Sequence, residues 1–372
     1  MKYYLIAGEA SGDLHASNLM KALLKKDENA DFRFWGGDLM TEVAQHNPVK
    51  HYKDLAFMGF IEVVINLKTI LGNIKVCKND IENYNPDVII FIDYPGFNMR
   101  IAKWAKQRNI KTFYYISPQI WAWKENRIKA IKRDVDEMFV ILPFEKNFYE
   151  DKHNYPVHFV GHPLLDAIDQ LEVRSLEEFQ KNHGLDQREI IAILPGSRKQ
   201  EIVKMLSTML EMPKKFKAYQ FVIAGAPSQD QAFYEQFLVK ENVSFVTNET
   251  YSLLSHSKAA LVTSGTATLE TALFEVPEVV CYKGSQISYQ IAKRIIKLNY
   301  ISLVNLIMDK EVVKELIQNE FNAKSLETEL TKILDSNYSS HMRAEFKTLK
   351  QKLGGLGASD HTAELMLDLL QK

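Results

Sequence analysis

The chain has 372 residues, of which 46% are apolar and 25% are charged, and its formal net charge is −1. That length exceeds one typical hydrophobic core and predicts a globular protein of two domains. A nearly neutral chain has no global field that would recruit nucleic acid, so we expect no nucleic-acid partner and only local anion sites. Cys77 and Cys281 lie far apart in sequence, which indicates free thiols in a reducing compartment.

The N-terminus indicates a first strand rather than a targeting segment. Its apolar run is short and lacks the small-residue cleavage site of a signal peptide. No segment approaches the roughly 20 apolar residues that span a bilayer. The sequence therefore predicts a cytoplasmic protein, for which surface contact with a membrane stays open.

Short apolar runs alternate with helical patterns throughout the chain, with a break near residues 165–185. Strands that are separated by helices imply parallel sheets built from right-handed crossover units. The predicted strands are Tyr3–Ala7, Phe32–Trp35, Asp87–Ile92, Thr112–Ile116, Glu137–Leu142, Val157–Val160, Glu189–Leu194, Gln220–Ala224, Val243–Val246, Ala259–Val262 and Glu278–Tyr282.

This pattern predicts an α/β protein with two facing, doubly wound domains. We place the N-terminal domain at residues 1–165, the C-terminal domain at residues 166–345 and a helical segment at residues 346–372. The sequence does not decide whether the C-terminal helices pack back on the N-terminal domain or exchange with a partner chain in a homodimer.

Ligands of open α/β sheets collect at the carboxyl ends of the strands, so the residues after each strand are candidates for chemistry. Asp93 follows a buried strand, where partial desolvation raises the pKa of a carboxyl group toward the range of a general base. Because Asp is also a favoured helix N-cap, capping is an equal alternative. Pro95 and Gly96 fix the next turn, and Asn98 could cap the helix in place of Asp93.

Two other strand ends in the first half carry weaker signals. Gly8-Glu9-Ala10-Ser11-Gly12-Asp13 matches neither the dinucleotide fingerprint nor the P-loop. Taken alone it favours a tight turn in which Ser11 or Asp13 caps the next helix, although its carboxylates would also suit a hydroxyl-rich sugar. The segment Ser117–Lys124, with two tryptophans, would suit either stacking on a sugar ring or core packing.

Two strand ends in the second half are typical of phosphate-binding turns. Gly196-Ser197-Arg198 leads into a helix N-terminus, which attracts anions, and Arg198 adds a bidentate donor. Ser264-Gly265-Thr266 forms a second such start, and Glu270 lies about one turn into that helix, where it could accept hydrogen bonds from ribose hydroxyls. The alternative interpretation of the Arg198 turn is an exposed basic helix cap, and that of Glu270 is an ordinary surface acid. Two such turns in one domain favour a nucleoside diphosphate.

Two polar motifs are interpreted as structural, and one apolar segment is interpreted either as structural or as a binding surface. Asp134 and Asp136 have a metal-binding spacing but precede a strand, so we interpret them as solvated turn residues, and His162 as a hinge residue. The apolar segment 56–65 and the lysines after it predict a buried helix, or else a patch for the membrane interface or acyl chains. The residues assigned to that patch are Phe57, Met58, Phe60 and Ile61.

Together these motifs resemble the lipid-A-disaccharide synthase family, and they occur in the family order across roughly residues 5–320. Each motif is weak alone, but the ordered set is highly specific. The matching segments are Ala7–Asp13, Met58–Gly59, Ile92–Asn98, Ser117–Trp123, Leu142–Glu145, Val160–Pro163, Leu194–Arg198, Ser264–Glu270, Ala292–Arg294 and Ser302–Leu306.

The resemblance implies a glycosyltransferase of the B-type fold, with two Rossmann-like domains. The donor would be UDP-2,3-diacylglucosamine and the acceptor 2,3-diacylglucosamine 1-phosphate (lipid X). It implies peripheral association with the inner face of the cytoplasmic membrane. By family motif, Asp93 carries over as the essential acid, Arg198 as the donor-phosphate residue, and Glu270 and Asn305 as donor-site residues. The acceptor-side residues are Gly8, Glu9, Ser11 and Gly12.

The resulting hypothesis is one in-line displacement with inversion, in which Asp93 accepts the proton of the acceptor's 6-hydroxyl. Arg198 and the two helix N-termini would stabilise the leaving UDP, so we expect no metal and no other cofactor. A UDP-N-acetylglucosamine 2-epimerase and a non-catalytic nucleotide-sugar-binding protein are the alternatives. A dehydrogenase is disfavoured because the dinucleotide fingerprint is absent.

Overall fold

The computed structural model describes residues 1–55, 67–226, 229–238, 243–285, 289 and 298–371. The chain divides into two compact units. Unit 1 comprises Met1–Asp169 and Leu353–Lys372, and unit 2 comprises Gln170–Lys352. Each unit is built on its own parallel sheet, which confirms the predicted α/β class.

Unit 1 contains, within the described residues, seven parallel strands in the order β3-β2-β1-β4-β5-β6-β7. Every residue of β4 is buried, as expected for a central strand that is covered on both faces. The strands are β1 (Lys2–Ala7), β2 (Asp31–Gly36), β3 (Lys50–His51), β4 (Val88–Ile92), β5 (Lys111–Tyr115), β6 (Glu137–Val140) and β7 (His158–Phe159).

The connections between these strands are mostly helical. A 3-10 turn at Glu125–Arg127 and a π-helical turn at Phe148–Lys152 adjoin two of the helices. The helices are α1 (Ala10–Lys26), α2 (Asp38–Ala44), α3 (Leu67–Tyr84), α4 (Pro95–Lys106), α5 (Ile128–Asp134), α6 (Pro143–Asn147) and α7 (Pro163–Asp169).

Asp13 has a different role from the predicted cap of the first helix. The N-cap of α1 is Glu9, without a side-chain capping bond. The buried carboxylate of Asp13 instead accepts hydrogen bonds from three backbone N–H groups at the start of α2. The donors are Gly37, Leu39 and Met40, at 2.7, 3.1 and 3.2 Å. The capping prediction for Ser11 or Asp13 is therefore wrong, because Asp13 satisfies the free N–H groups of the next helix.

Unit 2 contains six parallel strands in its described part, in the order β10-β9-β8-β11-β12-β13. The strands are β8 (Ile190–Leu194), β9 (Gln220–Gly225), β10 (Ser244–Thr247), β11 (Ser257–Thr263), β12 (Glu278–Tyr282) and β13 (Lys314–Ile317). The helices are α8 (Leu176–Asn182), α9 (Lys199–Met209), α10 (Met212–Lys215), α11 (Gln231–Leu238), α12 (Thr250–Ser255), α13 (Thr266–Leu273), α14 (Leu303–Met308), α15 (Ala323–Leu334) and α16 (Ser336–Lys352).

The last helix, α17 (Ala358–Leu370), returns to unit 1, where it contacts α1 and α7. Gly354, Gly355 and Gly357 separate it from α16, and all three have positive φ angles of 75° to 95°. Asp166 in α7 accepts hydrogen bonds from the backbone N–H groups of Gly357 and Ser359, at 2.7 and 2.9 Å. The predicted segment 346–372 is thus divided: its first residues complete α16 of unit 2, and its remainder packs on unit 1.

His162 lies at the start of α7 and is buried. Its backbone N–H donates to the Leu353 carbonyl, and its Nδ1 accepts from the backbone N–H of Leu164. Burial lowers the pKa of His162 to about 3, so the ring is neutral. The residue therefore joins α7 to the returning C-terminal segment within unit 1. None of the described helices is long and apolar enough to cross a membrane.

Candidate active site

Asp93 lies directly after β4, at the carboxyl end of the unit 1 sheet. Asp93 and Tyr94 both have left-handed backbone conformations, with φ angles of 43° and 49°, which strains the turn before α4. The Tyr114 hydroxyl and Asn98 Nδ2 donate to the Asp93 carbonyl, at 2.6 and 2.8 Å. The backbone that carries the Asp93 carboxyl group is therefore fixed by two side chains.

Asn98 does not cap α4. It is buried in the first turn, where its Nδ2 also approaches the carbonyls of Ile6 and Ile92, at 3.3 and 3.4 Å. The N-cap of α4 is Tyr94, without a side-chain capping bond, and Pro95 begins the helix. The capping prediction for Asn98 is wrong, because Asn98 lies inside the helix, after its first residues, and its amide donates to carbonyl groups instead of accepting from the helix N–H groups. Asn98 instead joins the ends of β1 and β4.

The pKa of the Asp93 carboxyl group lies well above its ordinary value. Burial raises the pKa of Asp93 to about 7, and the negative charges of Glu9 and Glu145 act in the same direction. A hydrogen bond from the backbone N–H of Tyr94 acts against them. A carboxyl group with that pKa is suited to accept and release a proton near neutral pH.

The turn after β1 approaches the turn after β4. A Cβ atom on Gly8 would lie 2.3 Å from the Tyr94 ring, so only glycine allows the ring to rest on this backbone. Gly8 and Gly12 are buried, whereas Glu9 and Ser11 are exposed. Gly8 and Gly12 thus lie beside the end of β4 and the turn after it, and the side chains of Glu9 and Ser11 between them are exposed. The assignment of these four residues to the acceptor side stays a prediction.

Glu145 in α6 is a site residue whose role the sequence did not predict. It is buried, and its Oε1 accepts hydrogen bonds from Ser117 Oγ at 2.5 Å and from Trp121 Nε1 at 3.1 Å. Its Oε2 accepts from the backbone N–H groups of Ile141 and Leu142, at 3.2 and 3.0 Å. This one carboxylate therefore fixes the segment after β5 to the end of β6.

The two tryptophans of that segment have different environments. Trp121 packs edge-on against Phe144, with ring centroids 4.9 Å apart. Trp123 is 47% exposed. Core packing therefore describes Trp121, whereas Trp123 presents an accessible ring.

In unit 2, Gly196-Ser197-Arg198 connects β8 to α9. Gly196 has φ 97°, and a Cβ atom there would lie 3.3 Å from the Thr263 side chain. Arg198 is the N-cap of α9 and makes no side-chain capping bond. Its guanidinium is exposed and pairs with Glu201 at 3.2 Å. A glycine with a positive φ, an uncapped helix start and an accessible guanidinium form a suitable anion site.

Ser264-Gly265-Thr266 connects β11 to α13. Gly265 is the N-cap of α13, with φ 149° and no side-chain capping bond. Ser264 Oγ donates to the Ile301 carbonyl at 3.1 Å. In the same helix, the Glu270 carboxylate accepts a hydrogen bond from the Tyr251 hydroxyl at 2.9 Å, and burial raises the pKa of Glu270. Glu270 is therefore held in place rather than being an ordinary surface acid.

Asn305 is fully buried, and its amide is completely engaged within the chain. Its Nδ2 donates to the Val313 carbonyl and to Glu315, both at 2.9 Å. Its Oδ1 accepts from the backbone N–H groups of Val312 and Val313, at 2.7 and 3.0 Å. Glu315 also accepts from the backbone of Ile301. Asn305 thus supports the loop that contacts Ser264, and its assignment to the donor site stays a prediction.

Asp134 and Asp136, which precede β6, both form ion pairs within unit 1. Asp136 pairs with Lys106 and accepts a hydrogen bond from the backbone of Thr112, while Asp134 pairs with Arg133. Within the described ranges, no three His, Cys, Asp or Glu side chains form a group that could hold a metal ion. The predicted patch residues Phe57, Met58, Phe60 and Ile61, and the segment Ala292–Arg294, lie outside the described residues.

Comparison of the sequence with known families gives a match across nearly all of the chain. The family model described as "Lipid-A-disaccharide synthetase" matches residues 3–364. The lipid-A-disaccharide synthase of Geobacter metallireducens is 38% identical, over 99% of this chain and 97% of its own length. That of Coxiella burnetii is 36% identical, over 98% of both chains.

Comparison of the structure with solved structures confirms the two Rossmann-like domains of the glycosyltransferase B-type fold. The UDP-GlcNAc 2-epimerase of Neisseria meningitidis, bound to UDP-GlcNAc, has a TM-score of 0.68 and 14% identity, and each chain is fully covered. S. aureus MnaA, in a structure with UDP, has a TM-score of 0.69 and 13% identity, over 100% of this chain and 98% of that chain. At such identities the likeness concerns the fold.

We expect Gly196→Ala to weaken UDP binding about tenfold, because a side chain at φ 97° strains the turn that would hold the phosphates. Isothermal titration calorimetry with UDP measures this change. Gly184→Ala is the matched control, since Gly184 also has a left-handed φ of 63° but has open space around it. Wild-type affinity in the Gly196→Ala protein would show that this turn does not contact the nucleotide.

Proposed function

Since the chain belongs to the lipid-A-disaccharide synthase family, we propose that it transfers 2,3-diacylglucosamine from UDP-2,3-diacylglucosamine to the 6-hydroxyl of lipid X. The products are the β-1,6-linked disaccharide 1-phosphate and UDP. The observation that carries this proposal is the carboxyl group of Asp93, whose pKa of about 7 suits a general base.

Asp93 acts on the acceptor in the proposed reaction. Its carboxylate accepts the proton of the 6-hydroxyl as that oxygen attacks the anomeric carbon of the donor. The bond from the anomeric carbon to the phosphate oxygen breaks, its electron pair leaves with UDP, and the configuration inverts. The hydrogen bonds to the Asp93 carbonyl support this step, because they keep the strained turn in one conformation.

Unit 2 acts on the donor. The leaving diphosphate gains negative charge, which Arg198 and the N-termini of α9 and α13 stabilise electrostatically. Glu270, held by Tyr251, accepts hydrogen bonds from the ribose hydroxyls. These groups supply the charge stabilisation without a divalent cation, so we propose a metal-independent reaction.

The exposed surface of α3 supports peripheral association with the inner face of the cytoplasmic membrane. Leu71 and Val76 are 55% and 52% exposed, and Lys68 and Lys75 are also exposed. Lys68, Leu71 and Lys75 lie on one helix face, at i, i+3 and i+7, whereas Val76 lies further round the helix. An apolar face with a basic fringe suits the interface of an anionic bilayer.

The variant Asp93→Asn should lose turnover by a factor of about 100 to 10,000, because an amide cannot accept the proton. UDP affinity should remain at the wild-type value. The assay measures disaccharide formation from the acylated donor and lipid X, with and without a chelator, and Asp151→Asn, at an exposed position of the same unit, is the control.

Comparable turnover in Asp93→Asn would exclude Asp93 as the base. Loss of wild-type activity on chelation, with recovery on addition of magnesium, would contradict the metal-independent reaction. Epimerisation of UDP-N-acetylglucosamine supplied alone would favour the 2-epimerase alternative, a reaction that is suggested by the fold of the solved relatives.

The pH profile of kcat/KM should fall with a slope of about one below pH 7, because the base must be ionised and burial raises its pKa to about 7. Glu9→Gln removes a negative charge that raises this pKa, so the acidic limb should move to lower pH. Glu42→Gln, at an exposed position, should leave the limb in place. An unchanged acidic limb in the Glu9→Gln variant would show that the limb does not report the ionisation of Asp93.

The double variant Leu71→Ser with Val76→Ser should bind vesicles containing phosphatidylglycerol about tenfold more weakly, because two exposed apolar side chains are lost. Cosedimentation with the vesicles measures the bound fraction. Leu356→Ser, at a side chain that is 62% exposed, is the control. Equal binding by the double variant and the wild type would show that the exposed apolar side chains of α3 do not contact the membrane.

A further inference from the structure

A cluster of one aromatic and two basic side chains follows β5, and the proposed mechanism does not use it. It consists of Trp123, Lys124 and Arg127, and we call it the basic cluster. Lys124 Nζ lies 4.1 Å from the centre of the Trp123 ring, and Arg127 Cζ lies 5.7 Å from it. The tryptophan face therefore attracts both cations.

The charges of the basic cluster are not neutralised within the part of the chain that the structure describes. Glu125, between the two cations in sequence, pairs instead with Lys152 at 2.7 Å and with His153 at 3.0 Å. Neither Lys124 nor Arg127 forms an ion pair with a described carboxylate. Lys124 is exposed, so its ammonium group is accessible to an anionic ligand.

The chain on both sides of the basic cluster is fixed. Glu145 holds Ser117 and Trp121 before it, and buried Ile128 begins α5 after it. Lys124 itself has a left-handed φ of 56°, a strained conformation for a residue with a side chain. A turn that is anchored at both ends presents its charges in a defined position.

The basic cluster lies on the Asp93 side of unit 1. The segment that carries it follows the carboxyl end of β5, the strand that pairs in parallel with β4. At this edge of the sheet the Asp93 N–H donates to the Tyr115 carbonyl at 3.2 Å, and the Tyr114 hydroxyl donates to the Asp93 carbonyl at 2.6 Å. The basic cluster and the proposed base therefore follow neighbouring strands at the same edge of the sheet.

An acceptor that carries a phosphate needs such a cation, because the surroundings of Asp93 are acidic. The negative charges of Glu9 and Glu145 both raise the pKa of Asp93. A phosphate group brought near three carboxyl groups is repelled unless positive charge accompanies it. On lipid X the 6-hydroxyl and the 1-phosphate lie at opposite ends of one sugar ring, so with the hydroxyl at Asp93 the cation that meets the phosphate must stand off from the base by the width of that ring.

We propose that the basic cluster binds the anomeric phosphate of a sugar 1-phosphate acceptor. Lys124 and Arg127 donate hydrogen bonds to the phosphate oxygens, and the Trp123 ring keeps both cations in place. The assignment rests on the proposed function, because it takes the acceptor to be a sugar phosphate. It makes the basic cluster the determinant that distinguishes phosphorylated from unphosphorylated acceptors.

The test compares lipid X with 2,3-diacylglucosamine, which lacks the phosphate, as ligands of the wild type and of Lys124→Ala, Arg127→Ala and the double variant. Equilibrium binding is measured in the presence of UDP, and KM and kcat are measured separately. Each single variant should lose lipid X affinity about tenfold or more, since each loses a charge-assisted hydrogen bond. Affinity for the unphosphorylated ligand should not change.

Two variants control for charge and geometry. Lys129→Ala removes an exposed lysine two positions after Arg127 and should bind lipid X as the wild type does. Arg127→Lys keeps the charge but loses the bidentate fork, so it should retain part of the affinity. UDP binding at the wild-type level shows that each variant is folded.

Equal lipid X affinity in the wild type and the double variant would overturn the phosphate assignment, as would a wild type that binds both ligands equally. These results come from binding and do not depend on turnover. Failure of the wild type to form the disaccharide would instead overturn the proposed function. A loss of lipid X affinity in the double variant would support the phosphate site in either case.

Discussion

The arrangement of unit 1 depends on hydrogen bonds that hold a strained main chain at the carboxyl end of β4. Two successive left-handed residues cost about 1–3 kcal/mol each and persist where their surroundings stabilise them. Asn98 and Tyr114 supply that stabilisation from buried positions. Because their partner is the backbone of Asp93, the carboxyl group keeps its hydrogen-bonding capacity while burial changes its ionisation.

The central strands could be predicted from sequence to within one or two residues, because a strand that is buried on both faces is a continuous apolar run. The edge strands β3 and β13 were missed. One has two residues, and the other includes Lys314 and Glu315, so neither has an apolar pattern. The roles of Asp13 and Asn98 were also mispredicted, since each bonds to main chain that lies elsewhere in the sequence.

The candidate residues at strand ends could be found from sequence, because the glycines and the charged side chains there mark the turns. The residues that hold these side chains in place by hydrogen bonds could not be found from sequence. Glu145 reaches Ser117 across 28 positions, and Tyr251 reaches Glu270 across 19. Such pairs are set by which strand ends are neighbours, and no local pattern encodes that. A buried acid such as Glu145 is recognisable only when the donors around it are known.

The return of α17 to unit 1 has a consequence for biosynthesis. Unit 1 is assembled from the first and the last residues of the chain, with all of unit 2 synthesised in between. Domains that emerge first usually fold first on the ribosome, but here Asp166 and one face of α1 must wait for the segment that contains α17. The nascent N-terminal part therefore exposes that face until α17 has been synthesised, so unit 1 is completed only after the whole of unit 2.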